Sequence, residues 1–467
     1  MRFRQADIGC SGFRFSQKLS RREALRIGGL FGMGLTLPSL LQSRAQAAGK
    51  RQGTFGKVKQ VITLYLHGGP PHQETFDPKP NGPEAVRGEL AAISTSLPGV
   101  YFSEALPQTA ALAHKFAVVR SMTHDNPNHV QACLPAQTGH KHPKAFRSRG
   151  DFFPAETDFP PFGAVLDAIR PAEGTLPTWM RVGPLMRRNN GTTLHGQTPG
   201  FLGKKHASFA IDQDLLGENV KIQAIQPNED LTDIRISARR DLLQQFDEQR
   251  KVIDQSADAK NLDAFYQRAF NLISSSRTRN AFDLASESPK TRARYGKTEF
   301  GQRCLLARRL AEAGVPMVNI SYCHTPVGSW DTHGQNFKKM KESLGPTLDT
   351  SLTALVEDLD ERGMLEETLV VVNAEFGRTP AINKNSGRDH WPWVYSLALA
   401  GAGIKAGTIH GSSDDSAAYP ETHPHDPADM AATIYHLLGI DPDTMIYDKL
   451  NRGHQLIIGR PIDAILV

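Results

Sequence analysis

Five apolar runs along the chain predict buried β-strands. Each is six to nine residues long and rich in Val, Ile, Leu or Ala, without strict alternation with polar residues. Such runs are typical of strands covered on both faces, as in a parallel sheet. The five runs are Val58–Leu66, Phe116–Met122, Val315–Tyr322, Thr368–Asn373 and Tyr395–Ala400.

Segments with helical spacing and helix stop signals lie between these runs. Thr298–Ala313 is amphipathic and is followed by Gly314, and Pro346–Arg362 starts with a proline suited to a first helical turn. Further helices are predicted around Glu104–His114, from His129 to Thr138 and over Asp429–Leu438. Strands that alternate with helices predict an α/β fold of three layers, α/β/α, with a mostly parallel central sheet.

The stretch from about residue 140 to 295 departs from this alternation. It is rich in Pro, Gly and paired charges up to about residue 235, and the pattern is helical and charged from Ser237 to about Arg294. We predict one domain over residues 55–467 with a loop-rich and helical insertion here. Loops at Arg187-Arg188 and Gly200–Gly203 either cover a site or are plain connections. Gln455–Ile458 is predicted as an edge strand.

Residues 1–47 have the features of an export signal. Arg21-Arg22 precede the apolar run Ile27–Leu41, and Ala45-Gln46-Ala47 fits a small-residue cleavage site. The paired arginines resemble the twin-arginine signal, which predicts contact with export machinery and a periplasmic or extracellular location. The apolar run is too short for a stable membrane span.

Charge and cysteine content exclude other classes of protein. The formal net charge of +5 arises in residues 1–47, which hold eight basic and two acidic residues, against 46 and 47 in the remainder. A nearly neutral body does not indicate nucleic-acid binding. The spacing of Cys133, Cys304 and Cys323 gives no zinc-knuckle pattern or disulfide framework. Buried thiols are expected, with one disulfide left open.

Metal-binding side chains follow four of the predicted strands, at the edge where α/β proteins bind ligands. Histidine and carboxylates are ligands for divalent metals, and arginine suits a tetrahedral oxyanion. The first strand is followed by His67, His72, Glu74 and Asp77, the second by His124 and His129, the third by Asp331 and His333, and the fourth by Glu375, Arg378, Asp389 and His390. The sequence therefore predicts one site for one or two metals.

Several motifs resemble known proteins. The order of strand-end ligands resembles the alkaline phosphatase and sulfatase superfamily. The segments LHGGPPHQETFDPKP, NHVQACLPAQTG, WDTH, LVVVNAEFGRTP and GRDHWP resemble an exported, sulfatase-like family known as domain of unknown function 1501. The resemblance covers nearly all of residues 55–440 and implies an alkaline phosphatase-like fold.

Two positions depart from the superfamily pattern. His67 stands where the first strand should end in an Asp ligand, and His129 stands nine residues before Thr138, where sulfatases carry a Cys or Ser nucleophile. This departure puts the usual covalent mechanism in doubt but keeps a metal site, since His129 can itself bind metal. Metal-activated water, or less favourably His129, is the expected nucleophile.

The leading interpretation is an exported metal-dependent hydrolase of small-molecule or polysaccharide sulfate or phosphate esters. We expect metal on His67, His72, Asp331, His333, Glu375, Asp389 and His390, with His129 and Arg378 as catalytic residues and Arg378 holding the substrate oxyanion. Imidazole-rich ligation favours zinc or manganese over calcium. The alternative is an exported binding or scaffold protein that keeps the fold without turnover. A phosphomutase is disfavoured because export separates it from phosphorylated metabolites.

Overall fold

The structure is a computed structural model that describes residues 53–143, 150–217, 220, 222, 276–321 and 329–467. The predicted export signal, Cys323 and the charged helical pattern between residues 237 and 275 lie outside these ranges. None of the helices within them is both long and apolar enough to cross a membrane.

An eight-stranded sheet forms the centre of the fold. Its strands in chain order are β1 Gln60–Tyr65, β2 Phe116–Met122, β3 Trp179–Val182, β4 Phe209–Ile211, β5 Met317–Ser321, β6 Thr368–Asn373, β7 Tyr395–Gly401 and β8 Thr408–His410. Their spatial order is β8-β2-β7-β6-β1-β5-β3-β4. All five predicted strands are present, with ends shifted by at most two residues.

The sheet is mostly parallel, as predicted. β1 lies between β5 and β6 and pairs with both in parallel, with Thr63 opposite Asn319 and Val371. β7 pairs antiparallel with both β2 and β6. Because β7 alone runs the other way among these strands, the carboxyl ends of β1, β2, β5 and β6 lie at one edge of the sheet.

Helices cover both faces of this sheet. The longer ones are α1 His129–Thr138, α2 Phe162–Ile169, α3 Glu299–Glu312, α4 Gly345–Glu361 and α5 Pro427–Leu437. Ile62 and Leu64 of β1 belong to the core that contains α3 and α4, whereas Val61 points to the core that contains α2 and α5. Burial of both strand faces explains the continuous apolar runs and gives the predicted three layers.

Shorter elements complete the described chain. Short helices span Glu84–Arg87, Pro107–Ala111, Ser276–Phe282, Pro289–Arg294 and Asn336–Lys339, the last continued by a π-helical turn at Met340–Leu344. Turns of 3₁₀ helix lie at Ala113–Lys115, Gly200–Leu202, Lys204–His206, Leu284–Ser286 and Asp463–Ile465. Two-stranded pairs join Ala92–Ser94 to Tyr101–Ser103, Gly377–Arg378 to His390–Trp391, Ser412–Ser413 to Pro420–Thr422, and Met445–Tyr447 to Gly453–Gln455.

Two predictions about the periphery are wrong. The stretch from residue 140 to 295 is not simply an insertion, because β3 and β4 within it belong to the central sheet. These strands have four and three residues, too few to show a strand period in the sequence. Gln455–Ile458 does not form an edge of the main sheet; Gln455 ends a separate hairpin with Met445–Tyr447.

Candidate metal centre

The carboxyl-end edge of the sheet gathers polar residues from distant parts of the chain. His67 and Glu375 each come two residues after a neighbouring strand, β1 and β6. His129 opens α1, where the Asn128 side chain accepts the Gln131 backbone N–H and caps the helix. Asp331 reaches the same edge beyond β5, since the Trp330 backbone N–H donates to the carbonyl of His67.

Asp331 is the centre of this cluster. Its Oδ1 lies 3.2 Å from His129 Nε2, 3.1 Å from His333 Nε2 and 3.1 Å from His390 Nε2. The Nε2 atoms of His333 and His390 are 2.9 Å apart. His129 Nε2 is buried and is not aligned for a hydrogen bond, although its distance to Asp331 is short. Three imidazole nitrogens therefore converge on one carboxylate oxygen.

The other nitrogen of each of these three histidines faces an acceptor. His129 Nδ1 lies 2.6 Å from Glu375 Oε1, His333 Nδ1 2.6 Å from Asp389 Oδ1, and His390 Nδ1 2.8 Å from the carbonyl of Pro127. In the neutral ring, a hydrogen on Nδ1 satisfies each acceptor and leaves the Nε2 lone pair directed towards Asp331. This pairing is the usual support of a metal-binding histidine. Burial opposes a charge on His129, but Asp331 and Glu375 raise its pKa, so its two nitrogens lie in an environment that favours a positive charge.

Close backbone packing holds the cluster together. Gly68 has a φ of +116°, and its N–H donates to Glu375 Oε1 at 2.7 Å. A Cβ at Gly68 would lie 2.3 Å from the backbone nitrogen of Asp331, and one at Gly387 would lie 2.1 Å from the carbonyl oxygen of His333. Both positions therefore require glycine for the strand-end loops to approach.

The electrostatics of the cluster favour an ionised carboxylate pair around His129. Burial opposes ionisation of Glu375, but the hydrogen bond and charge of His129 lower the pKa of Glu375 to about 2. Burial likewise opposes ionisation of Asp331, yet His129 and His390 hold its pKa far below the usual range. Burial lowers the pKa of His390 to about 4, so this imidazole is neutral at pH 7.

Arg378 occupies the middle of the cluster but not in the predicted manner. Its side chain is fully buried, and its Nη2 donates to Asp331 Oδ1 at 2.7 Å. Nε and Nη1 donate to the carbonyls of Gly69 and Arg388, and Nη2 also donates to Gly68. Because all three of its nitrogens donate to protein atoms, Arg378 has no pair of N–H groups free to bind a substrate oxyanion. Arg378 orients Asp331 and connects the loop of Gly68 and Gly69 to the loop of Arg388.

Four predicted ligands make other contacts. His72 Nε2 lies 3.0 Å from the carbonyl of Ala417, and His124 Nε2 lies 2.6 Å from the carbonyl of Glu375. Glu74 forms a fully buried ion pair with Arg388 at 2.6 Å, and Asp77 accepts from Ser413 at 2.5 Å. These four side chains support the loops around the cluster. His67 stays beside it, grouped with His129 and Glu375.

Arg188 is a further charged residue at the cluster, with no role predicted from its position in the sequence. Its Nη1 lies 3.6 Å from Asp331 Oδ2, and its side chain is 30% exposed. It is carried on a tight loop in which the Arg188 N–H donates to the carbonyl of Thr192. The paired arginines left this loop open as either a covering loop or a plain connection, and only the fold places Arg188 beside Asp331.

Comparison with solved structures finds low overall similarity to hydrolases and related proteins. The PsFucS1 sulfatase from Pseudoalteromonas sp. is 14% identical, with 85% of this chain and 70% of that chain covered and a TM-score of 0.37. The phosphonate monoester hydrolase SpPMH from Silicibacter pomeroyi is 12% identical, with 86% and 75% covered and a TM-score of 0.39. An alkaline phosphatase superfamily protein from Vibrio parahaemolyticus is 10% identical, with 89% and 72% covered and a TM-score of 0.38. At such identities and TM-scores, the similarity does not extend to reaction or substrate. No curated protein matches the sequence.

The molecule is thus a three-layer α/β protein with a histidine- and carboxylate-rich cluster at the carboxyl ends of its parallel strands. It belongs to the family described as protein of unknown function DUF1501, which matches residues 58–466. This confirms the family resemblance drawn from the motifs.

Proposed function

We propose that this protein is a divalent-metal-dependent hydrolase of sulfate or phosphate esters. The observation that carries the proposal is the convergence of three Nε2 atoms on Asp331 Oδ1, each from a histidine whose Nδ1 faces an acceptor. In this proposal His129, His333, His390 and Asp331 are the ligands of the principal ion, and Glu375 and Asp389 orient two of the histidines.

The donor set fits a borderline cation. Three imidazoles and one carboxylate are the ligands of zinc and manganese sites rather than of calcium, which prefers six to eight oxygens. The buried Nε2 of His129 has no aligned hydrogen-bond partner, as expected of an atom that binds a metal ion. His67 Nδ1 and Glu375 Oε2 are also buried without hydrogen bonds, so this neighbouring pair would take a second ion.

The chain's own residues have separate roles in the proposed reaction. A divalent cation, when bound, supplies Lewis-acid polarisation of an ester oxygen. Arg188 is the partly exposed guanidinium beside Asp331 and would hold the oxyanion of the substrate. Arg378 positions Asp331. His129 is not the proposed nucleophile, because Glu375 and Asp331 lie against its two nitrogens.

A second function, binding without turnover, is favoured by one observation. His129 stands at the position expected for a sulfatase nucleophile and is occupied by contacts to two carboxylates. A protein that only binds oxyanion-bearing ligands would keep the cluster and Arg188 but would need no nucleophile.

Metal analysis and an ester panel test the two functions. We expect purified protein from residue 48 onward to contain zinc or manganese and to hydrolyse at least one aryl sulfate or aryl phosphate. Chelation should abolish turnover, and the same metal should restore it. A protein that contains metal and binds sulfate or phosphate but cleaves no ester of the panel would favour the binding function. Purified protein that neither contains nor takes up a divalent metal would refute both.

We further propose that residues 1–47 direct export by the twin-arginine route. The support is the Arg21-Arg22 pair, the apolar run and the small-residue motif. Replacing both arginines with lysines is expected to leave the protein in the cytoplasm, as measured by cell fractionation. Replacing Arg44 with lysine is the matched control. Undiminished export of the double-lysine variant would contradict this route.

A further inference from the structure

A second cluster of metal-ligating side chains lies apart from Asp331. His142, Asp158 and His195 are each more than nine-tenths buried, and they offer ligand atoms that all lie within 4.8 Å of one another. The rings of His142 and His195 are 4.6 Å apart in an edge-on arrangement. None of the three residues belongs to the centre proposed above, and the sequence patterns around them gave no sign of a site.

The hydrogen bonds of His195 define its tautomer. Nε2 lies 3.0 Å from the carbonyl oxygen of Phe152, an atom that can only accept, so Nε2 carries a hydrogen. In the neutral ring, Nδ1 then bears a lone pair. Nδ1 is nevertheless 2.8 Å from Asp158 Oδ2, is buried, and makes no hydrogen bond. A lone pair and a carboxylate oxygen at this distance repel each other, so the contact requires either a proton on Nδ1 or a metal cation between the two atoms.

The geometry suits two ligands of one ion. Metal–nitrogen and metal–oxygen bonds of about 2.0–2.2 Å place neighbouring ligand atoms about 3 Å apart. Asp158 is also fixed for this role, since its Oδ2 accepts the Ala155 N–H at 3.1 Å. We propose that His142, Asp158 and His195 form a second site for a first-row divalent transition metal, with zinc as the representative ion.

The proposed second site has a structural consequence for the loop of Arg188. The His195 N–H donates to the carbonyl of Val130 in α1, and Gln137 of the same helix donates to the carbonyl of His195 at 3.3 Å. Arg188 lies seven residues before His195 on the same loop. A metal shared by His195, His142 and Asp158 would therefore add a link to the part of this loop that already contacts α1, the helix that begins at His129.

Metal titration of two variants tests this site independently of turnover. Metal-depleted full-length protein is titrated with Zn²⁺ alone, as wild type and as His333→Ala, which removes a ligand of the principal centre only. We expect Asp158→Asn to lower the bound Zn²⁺ by one equivalent in both backgrounds. The asparagine keeps the shape and the acceptor for Ala155, and circular dichroism verifies the fold.

The outcomes separate the two sites. If His333→Ala loses one equivalent of bound Zn²⁺ and Asp158→Asn loses none, the result would support the principal centre and overturn the second site. Unaltered Zn²⁺ binding by Asp158→Asn in both backgrounds would mean that His195 is simply a protonated partner of Asp158. If Asp158→Asn does not fold, His142→Gln provides the same readout, and retention of all equivalents in that variant would also overturn the second site.

Discussion

The His333→Ala variant is expected to lose the metal of the principal centre and its turnover while keeping its fold. His333 contributes one of the three Nε2 atoms around Asp331, and its side chain is 45% exposed, so truncation leaves no buried cavity. Removing only a supporting hydrogen bond from a metal ligand costs about 10–100-fold in metal affinity. Removing the ligand itself should cost at least that much, and hydrolysis should fall in parallel.

Metal content, ester hydrolysis and melting temperature are measured together. His454→Ala is the matched control, because His454 is 36% exposed and lies 3.3 Å from Asp448, away from the cluster. The control should resemble wild type in all three measurements. Full metal content and full turnover in His333→Ala would remove His333 from the centre and leave Asp331 with two histidines.

Two arginines near Asp331 should respond in opposite ways to substitution. Arg378→Lys is expected to destabilise the fold by about 3–5 kcal/mol, the cost typical of breaking a buried ion pair. A lysine cannot donate to Asp331 and to three separate carbonyl groups from one planar group. Arg188→Ala should leave the melting temperature nearly unchanged, since its partly exposed pairs with Asp331 and Asp151, both at 3.6 Å, contribute little to stability.

Turnover gives the complementary result for Arg188. If its guanidinium holds the substrate oxyanion, Arg188→Ala should lower kcat/KM by about 100-fold, the loss seen when one oxyanion donor is removed. Metal content should stay at the wild-type level, and Arg188→Lys should recover only part of the loss. A folded Arg378→Lys protein with wild-type stability, or an Arg188→Ala protein with wild-type kinetics, would reverse the assignment of these two residues.

The sequence predicted the central strands well because burial on both faces leaves a clear pattern. Thr368–Asn373 and Phe116–Met122 have the predicted bounds, since each contains a run of apolar residues between polar segments. The direction of β7 was not predictable, because antiparallel and parallel strands in a covered sheet have the same composition. β3 was missed because a four-residue strand carries too little periodicity.

The candidate site was predictable in composition but not in its assignment of roles. Their positions after predicted strands made Asp331, His129 and Glu375 candidates for one site, and the fold places them in contact. Sequence order cannot tell which nitrogen of a histidine faces which carboxylate. Nor could it show that Arg378 is enclosed by backbone carbonyls, because two of those carbonyls belong to a loop more than 300 residues away in the chain.

The separation of the ligands along the chain has a consequence for metal selection. His129 and Glu375 are 246 residues apart, and their loops meet only when β2 and β6 have both paired with β7. A nascent chain therefore has no preformed cluster, and the proposed ion would bind only after these long-range pairings have formed. The compartment where folding ends, and the free metal available there, would then decide which ion the protein carries.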